Sequence, residues 1–142
     1  MENLFTVLCT GSAVDVDTNS VSLFNLVERL TLPAPPPQSD QIPFVPLPLT
    51  IVGEWIRTKS EPNEAQLNVQ ILDPSGQPLL KDQPPITFSF QSHLRARARV
   101  NLPGFPIRGE GDYQIVLEIM VEEKELLKHS IPVEVVYASP GI

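Results

Sequence analysis

Tyr113-Gln114-Ile115-Val116-Leu117-Glu118-Ile119-Met120-Val121 is the stretch that decides the fold class. Tyr113, Ile115, Leu117, Ile119 and Val121 recur at every second position. A period of two sends alternate side chains to opposite faces of a strand, so these five share one apolar face. Gln114 and Glu118 fall on the other face, joined by Val116 and Met120. The same alternation continues on both sides. Ile131, Val133, Val135 and Tyr137 share a face, and Leu94, Ala96, Ala98 and Val100 alternate with Arg95, Arg97 and Arg99. Ile86, Phe88 and Phe90 alternate with Thr87, Ser89 and Gln91, and Leu67, Val69 and Ile71 with Asn68 and Gln70.

Turn residues separate these runs. Asp73-Pro74-Ser75-Gly76 has Asp, Pro and Gly at the first, second and fourth positions of a type I turn. Asp17-Thr18-Asn19-Ser20 reverses a first strand into a second, and Glu122-Glu123-Lys124-Glu125 reads as the tip of the last hairpin. Residues 21–32 admit two readings. Leu23, Leu26, Val27 and Leu30 have helical spacing, whereas Ser22, Phe24, Leu26, Glu28 and Leu30 alternate as a strand would. The strand suits the flanking turn and prolines; a short helix is the alternative.

Composition agrees with a β-rich chain. Its 142 residues include 16 prolines, where average usage of about 5% would give roughly 7. Proline ends helices and collects at corners and edges of sheets. Seven prolines fall within residues 33–48. The chain before them is too short to fold alone, so the segment reads as a crossover loop inside one domain spanning 1–142. The Pro35-Pro36-Pro37 run, with no flanking basic residue, is a poor polyproline ligand.

The net charge of −7 opposes general nucleic-acid or anionic-membrane binding. Residues 4–9 are too short and too weakly flanked for a signal segment, and no run approaches the roughly 18 apolar residues of a membrane span. A cytoplasmic location is the default expectation. Cys9, the only cysteine, precludes an internal disulfide and reads as a small buried hydrophobe.

Seven to nine short strands with frequent turns indicate an all-β, antiparallel two-sheet sandwich. Gly111-Asp112-Tyr113 opens a strand after a loop. That places Tyr113 where immunoglobulin-like sandwiches carry a tyrosine whose hydroxyl bonds back to the preceding loop. Trp55 is the candidate large core aromatic of a third strand. Two longer stretches carry a resemblance. One is Leu8-Cys9 with Val14-Asp15-Val16-Asp17-Thr18-Asn19-Ser20-Val21-Ser22-Leu23-Phe24-Asn25-Leu26. The other is Asn101-Leu102-Pro103-Gly104-Phe105-Pro106 with Gly111-Asp112-Tyr113 and Ile131-Pro132-Val133-Glu134-Val135. The chain resembles a functionally uncharacterised family of small bacterial proteins with an immunoglobulin-like β-sandwich. The resemblance implies a fold and a bacterial source, and no activity, cofactor or catalytic residue.

Among chemical constellations, Asp15, Asp17 and Asn19 begin a calcium-loop spacing, but Ser20 and Leu26 stand where an EF-hand needs Gly and Glu. Asp40, Asp73, Asp82 and Asp112 are further loop aspartates. Arg95, Arg97 and Arg99 lie about 6.5–7 Å apart along one strand face. They would either grip a carboxylate- or phosphate-bearing partner or pair with Glu118, Glu122 or Glu134 on other strands. His93 and His129 read as ordinary surface or turn residues. No nucleophile elbow, metalloprotease helix or phosphate loop is present. The sequence therefore predicts a non-catalytic protein-interaction or assembly module without a cofactor, acting through an unidentified protein partner or self-association. The alternative is a small-ligand or calcium-binding sandwich; an enzyme is the weakest reading.

Overall fold

The computed structural model describes residues 1–33, 43–81 and 83–138. Among them are eleven strands and no helix. They are β1 (Glu2–Val14), β2 (Val21–Leu26), β3 (Arg29–Leu32), β4 (Phe44–Val45), β5 (Leu49–Ile56), β6 (Glu64–Leu72), β7 (Ile86–Ser89), β8 (Arg95–Leu102), β9 (Phe105–Pro106), β10 (Gly111–Val121) and β11 (Lys124–Tyr137). Strands β2-β1-β5-β8 form one sheet, β3-β11-β10-β6-β7 a second, and β4 with β9 a two-stranded ribbon. The protein is all-β. The pattern differs from the expected seven to nine strands in two sheets by the added ribbon and by the division of residues 21–32. All pairings are antiparallel except β3 with β11.

The ambiguous stretch 21–32 is neither a helix nor one strand. Asn25 takes a positive φ of 51°, and the chain turns at Val27 and Glu28. The Val27 N–H donates to the Leu8 carbonyl, while the Glu28 carbonyl accepts from the Glu134 N–H. This corner carries the chain from the first sheet into the second. Both periodicities fitted the stretch because four apolar residues must serve two sheets. It also makes Trp55 a residue of the fifth strand, not the third. The proline-rich connection then runs from β3, in the second sheet, through β4 to β5, in the first. Pro35, Pro36, Pro37, Asp40 and Asp82 lie outside the described residues.

The two large sheets share one core. From the first come Leu8, Leu49, Ile51, Trp55, Ala96 and Ala98; from the second Leu67, Ile71, Phe88, Tyr113, Ile115, Leu117, Ile119, Val133 and Val135. Trp55 is fully buried, its rings 5.3 Å from Phe88 and 6.0 Å from His129. A Cβ on Gly53 would collide with the Trp55 ring, so the missing side chain two residues earlier makes the space the indole fills. Gly104 answers a similar need: a Cβ there would come 2.5 Å from the Val45 carbonyl oxygen, where β4 crosses close to the start of β9.

The turns follow their chemistry. Gly76 N–H donates to the Asp73 carbonyl at 2.8 Å, closing the predicted turn. Glu122 and Glu123 form a two-residue hairpin loop with φ of 51° and 64°, the left-handed pair that a type I′ turn requires.

Candidate interaction surface

Arg95, Arg97 and Arg99 project from the outer face of β8, an edge strand of the first sheet. Their registered neighbours on β5 are Ile56, Glu54 and Val52. Glu54 sits between two of them, 3.7 Å from Arg95 and 3.5 Å from Arg97. The expected acidic partners are elsewhere: Glu118 pairs with Lys128 and Glu134 with Arg29, both within the second sheet. They cannot reach β8 because the core lies between. Arg97 Nη2 also donates to the Asn19 carbonyl at 3.2 Å, and Arg99 Nη1 to Ser12 Oγ at 3.3 Å. Two of the three arginines therefore hold the arm formed by the ends of β1 and β2. The Arg95 side chain is 65% exposed, against 22% for Arg97.

Asp15 and Asp73 bond to their own turns. Asp15 Oδ1 accepts from the Asp17 and Thr18 N–H groups, each at 2.9 Å, and these bonds hold its carboxyl below the usual carboxylate range. Asp73 Oδ1 accepts from the Ser75 hydroxyl and from the Ser75 and Gln77 N–H groups, and Arg108 reaches its Oδ2 at 3.2 Å. The Ser75 hydroxyl bond is the first cause of its lowered pKa. Among the described residues, no three His, Cys, Asp or Glu side chains come together as a metal site would need.

Tyr113 is buried at the start of β10. Its hydroxyl donates to the Gly109 carbonyl at 2.6 Å and accepts from the Arg108 N–H at 2.7 Å. Burial, despite that donated N–H, pushes the phenol pKa up. The bonds pin the loop before β10 and leave no group free for chemistry. Cys9 is buried, its thiol 3.5 Å from the Thr50 carbonyl.

Sequence reasoning missed the side of the molecule where β1 passes β11. β1 pairs with β5 through residues 2–9 and with β2 only through residues 9–14. β11 pairs with β10 through residues 124–135 and with β3 only through residues 134–137. Among the described residues, each strand thus has a long stretch with a partner on one flank only. A groove of about 410 Å³ lies between them, lined by Thr6, Val7, Leu8, Ile131 and Pro132 and closed above by Leu26 and Val27 of the corner. Glu28, Asp112 and Glu134 add carboxylates to its wall. One signal for this edge was visible. Pro132 falls inside the alternating run Ile131-Pro132-Val133-Glu134-Val135, and a proline within a sheet belongs on an edge because it has no N–H to donate.

His129 also lies here and is not an ordinary surface or turn residue. Its register with Leu117 turns it to the core face, where Nε2 sits 3.0 Å from Thr6 Oγ1. Burial lowers its pKa. A hydroxyl beside an imidazole is half of a nucleophilic triad. No carboxylate among the described residues bonds the second ring nitrogen, and the Asn3 amide already donates to the Thr6 hydroxyl at 2.8 Å. The pair joins the two sheets across the groove.

With this geometry in place, comparison with known proteins adds one finding. A model of a family of unknown function, DUF6941, matches residues 12–136. The chain belongs to this family. DUF6941 membership takes in the arm, the corner, the arginine strand and the Tyr113 loop, and the family's description assigns none of them an activity. For this DUF6941 member, no curated protein and no solved structure gives a match. Among its described residues no helix is long and apolar enough to cross a membrane.

Proposed function

We propose that the protein is a non-catalytic protein-interaction or assembly module that works through the open side of its sheets. One observation carries this reading: among the described residues, β1 and β11 both lack a second neighbour over a long stretch, on the same side, with an apolar groove between them. Unpaired strand edges template pairing with another chain, and folded proteins normally cover or interrupt them. Leu26, 57% exposed, and Phe24, 51% exposed, extend the apolar surface along the edge strand β2. Catalysis has weaker support, since the Thr6–His129 pair lacks an orienting acid among the described residues. Calcium binding has weaker support too, since Asp15 and Asp73 spend oxygens on their own turns.

An immunoglobulin-like architecture is part of the proposal. The order β1-β5-β8 facing β7-β6-β10-β11 parallels the A-B-E and C′-C-F-G sheets of that fold. Tyr113 opens the strand equivalent to F and bonds to the loop before it. Trp55 departs from the pattern by lying on the equivalent of strand B. A cytoplasmic bacterial setting accords with the resemblance and with a lone, buried thiol.

The test combines sedimentation with capture from a lysate of the source organism, using the intact protein and an edge-blocked Thr6→Pro variant checked for folding. The reading expects self-association or a retained protein that the blocked variant loses. A strictly monomeric protein that retains nothing would overturn it.

A further inference from the structure

We propose that the groove beside β1 takes up an extended, basic segment of another protein, which adds to the first sheet as a strand in the place β2 vacates. This inference rests on the interaction reading above and names its ligand.

The position follows from the corner. β2 covers the flank of β1 as far as Cys9, and the Val27 N–H closes the last bond, to the Leu8 carbonyl. Below that point β1 has β5 on one flank and, among the described residues, no strand on the other. A bulge between Asn3 and Phe5 confines the regular free edge to residues 5–8. The opposite wall is a poorer template. On β11 the Glu134 N–H already bonds to Glu28, and Pro132, two residues away and facing the same flank, has no N–H. The incoming strand therefore pairs with β1 and only packs against β11.

The class of ligand follows from three features. An edge of alternating N–H and C=O groups is satisfied by another polypeptide backbone more completely than by a small molecule. The groove wall offers Ile131 and the faces of Pro132 and Val7, which suit apolar side chains of the incoming segment. Three carboxylates, Glu28, Asp112 and Glu134, stand at its upper end, and among the described residues only Glu134 has a cation, Arg29, at 3.0 Å. Such a wall favours Lys or Arg on the incoming segment. It disfavours nucleic acid, and it disfavours a second copy of this chain, whose net charge is −7.

The probes are three fluorescein-labelled octapeptides: alternating Lys-Val, alternating Glu-Val, and Lys-Val with a central proline. The full chain is titrated with each by anisotropy, and amide exchange is followed by NMR. The proposal expects the Lys-Val peptide to bind at least about tenfold tighter than the Glu-Val peptide and to weaken as salt rises. It expects the proline peptide to lose binding and the Thr6 and Leu8 amides, which face the free flank, to gain protection. Glu28→Lys with Asp112→Lys should weaken Lys-Val binding about tenfold or more with an unchanged melting curve. Thr6→Pro, if folded, should abolish it. Lack of Lys-Val binding at millimolar concentration, equal binding of both charge types, or protection outside residues 5–8 would each overturn the inference. Preference for the Glu-Val peptide with protection along β8 would also overturn it, while leaving an interaction module that uses its arginines. A dimer that the Lys-Val peptide does not dissociate would mean that a second copy fills the edge. Failure of every peptide together with a monomer that captures nothing would remove the broader reading as well.

Discussion

β10 and β1 are strands of similar length with opposite surroundings. β10 is flanked by β11 and β6, and its inner residues Tyr113, Ile115, Leu117 and Ile119 are completely shielded from solvent. β1 runs beside β5 for its first part and beside β2 for its last, with both neighbours only at Cys9. Its Leu4 is 41% exposed. The comparison separates two jobs. A strand enclosed by neighbours and core holds the fold together, and a strand flanked on both sides at a single residue presents backbone to whatever comes next.

The largest test of this contrast compares equivalent truncations. Leu117→Ala removes a fully buried side chain and should cost about 2–5 kcal/mol. Leu4→Ala should change stability by less than about 0.5 kcal/mol. Urea unfolding of the two variants checks the pair, and similar losses would break the comparison. Next comes Gly53→Ala. The added methyl meets the Trp55 ring and should cost about 1–3 kcal/mol through overpacking. Trp55→Phe in the same chain should recover part of that loss.

Tyr113→Phe tests how β10 is anchored at its start. Losing the hydroxyl leaves the Gly109 carbonyl and the Arg108 N–H without their partner, at about 1–3 kcal/mol. Thermal unfolding reads this directly.

Smaller still is the pH dependence at the seam. Burial lowers the folded-state pKa of His129 below the ordinary histidine value of about 6.5. The unfolded chain then binds more protons than the folded one in the window between the two values, so stability rises with pH there. The contribution is intact above about pH 6.5 and is lost as pH falls from there through the folded value. His129→Gln should flatten this part of the stability profile, which urea midpoints across pH 4–8 would show.

The least effect is expected at the other half of β1. Arg97→Ala and Arg99→Ala release the arm held at Asn19 and Ser12. Global stability should fall by about 1 kcal/mol or less. Amide exchange in residues 12–20 should accelerate while exchange in β10 stays unchanged. Equal acceleration in both would show that the arm and the core open together.

Much of the core was legible in the sequence because alternation survives wherever one face is buried. Of the five-residue face, Tyr113, Ile115, Leu117 and Ile119 are buried as their spacing requires and Val121, at the strand end, only partly, and the Asp73 turn forms as its residues dictate. The arginine face was legible as a face, but its partners were not. Glu54 has no special spacing from Arg95 and Arg97; register alone brings β5 beside β8. The groove was least legible. Residues 4–9 read as an ordinary apolar run, and only Pro132 hinted that an edge was near.

The sequence by itself determined an all-β chain, the faces of its strands, the sites of its tight turns and the burial of Tyr113 and Trp55. These depend on local periodicity, turn chemistry and side-chain size, all of which act over a few residues. Tertiary structure decided that residues 21–32 divide between two sheets, that Arg97 holds Asn19, that His129 meets Thr6, and that β1 is left with an open flank. Those outcomes join residues tens of positions apart, and strand register, which no short window of sequence encodes, sets each of them.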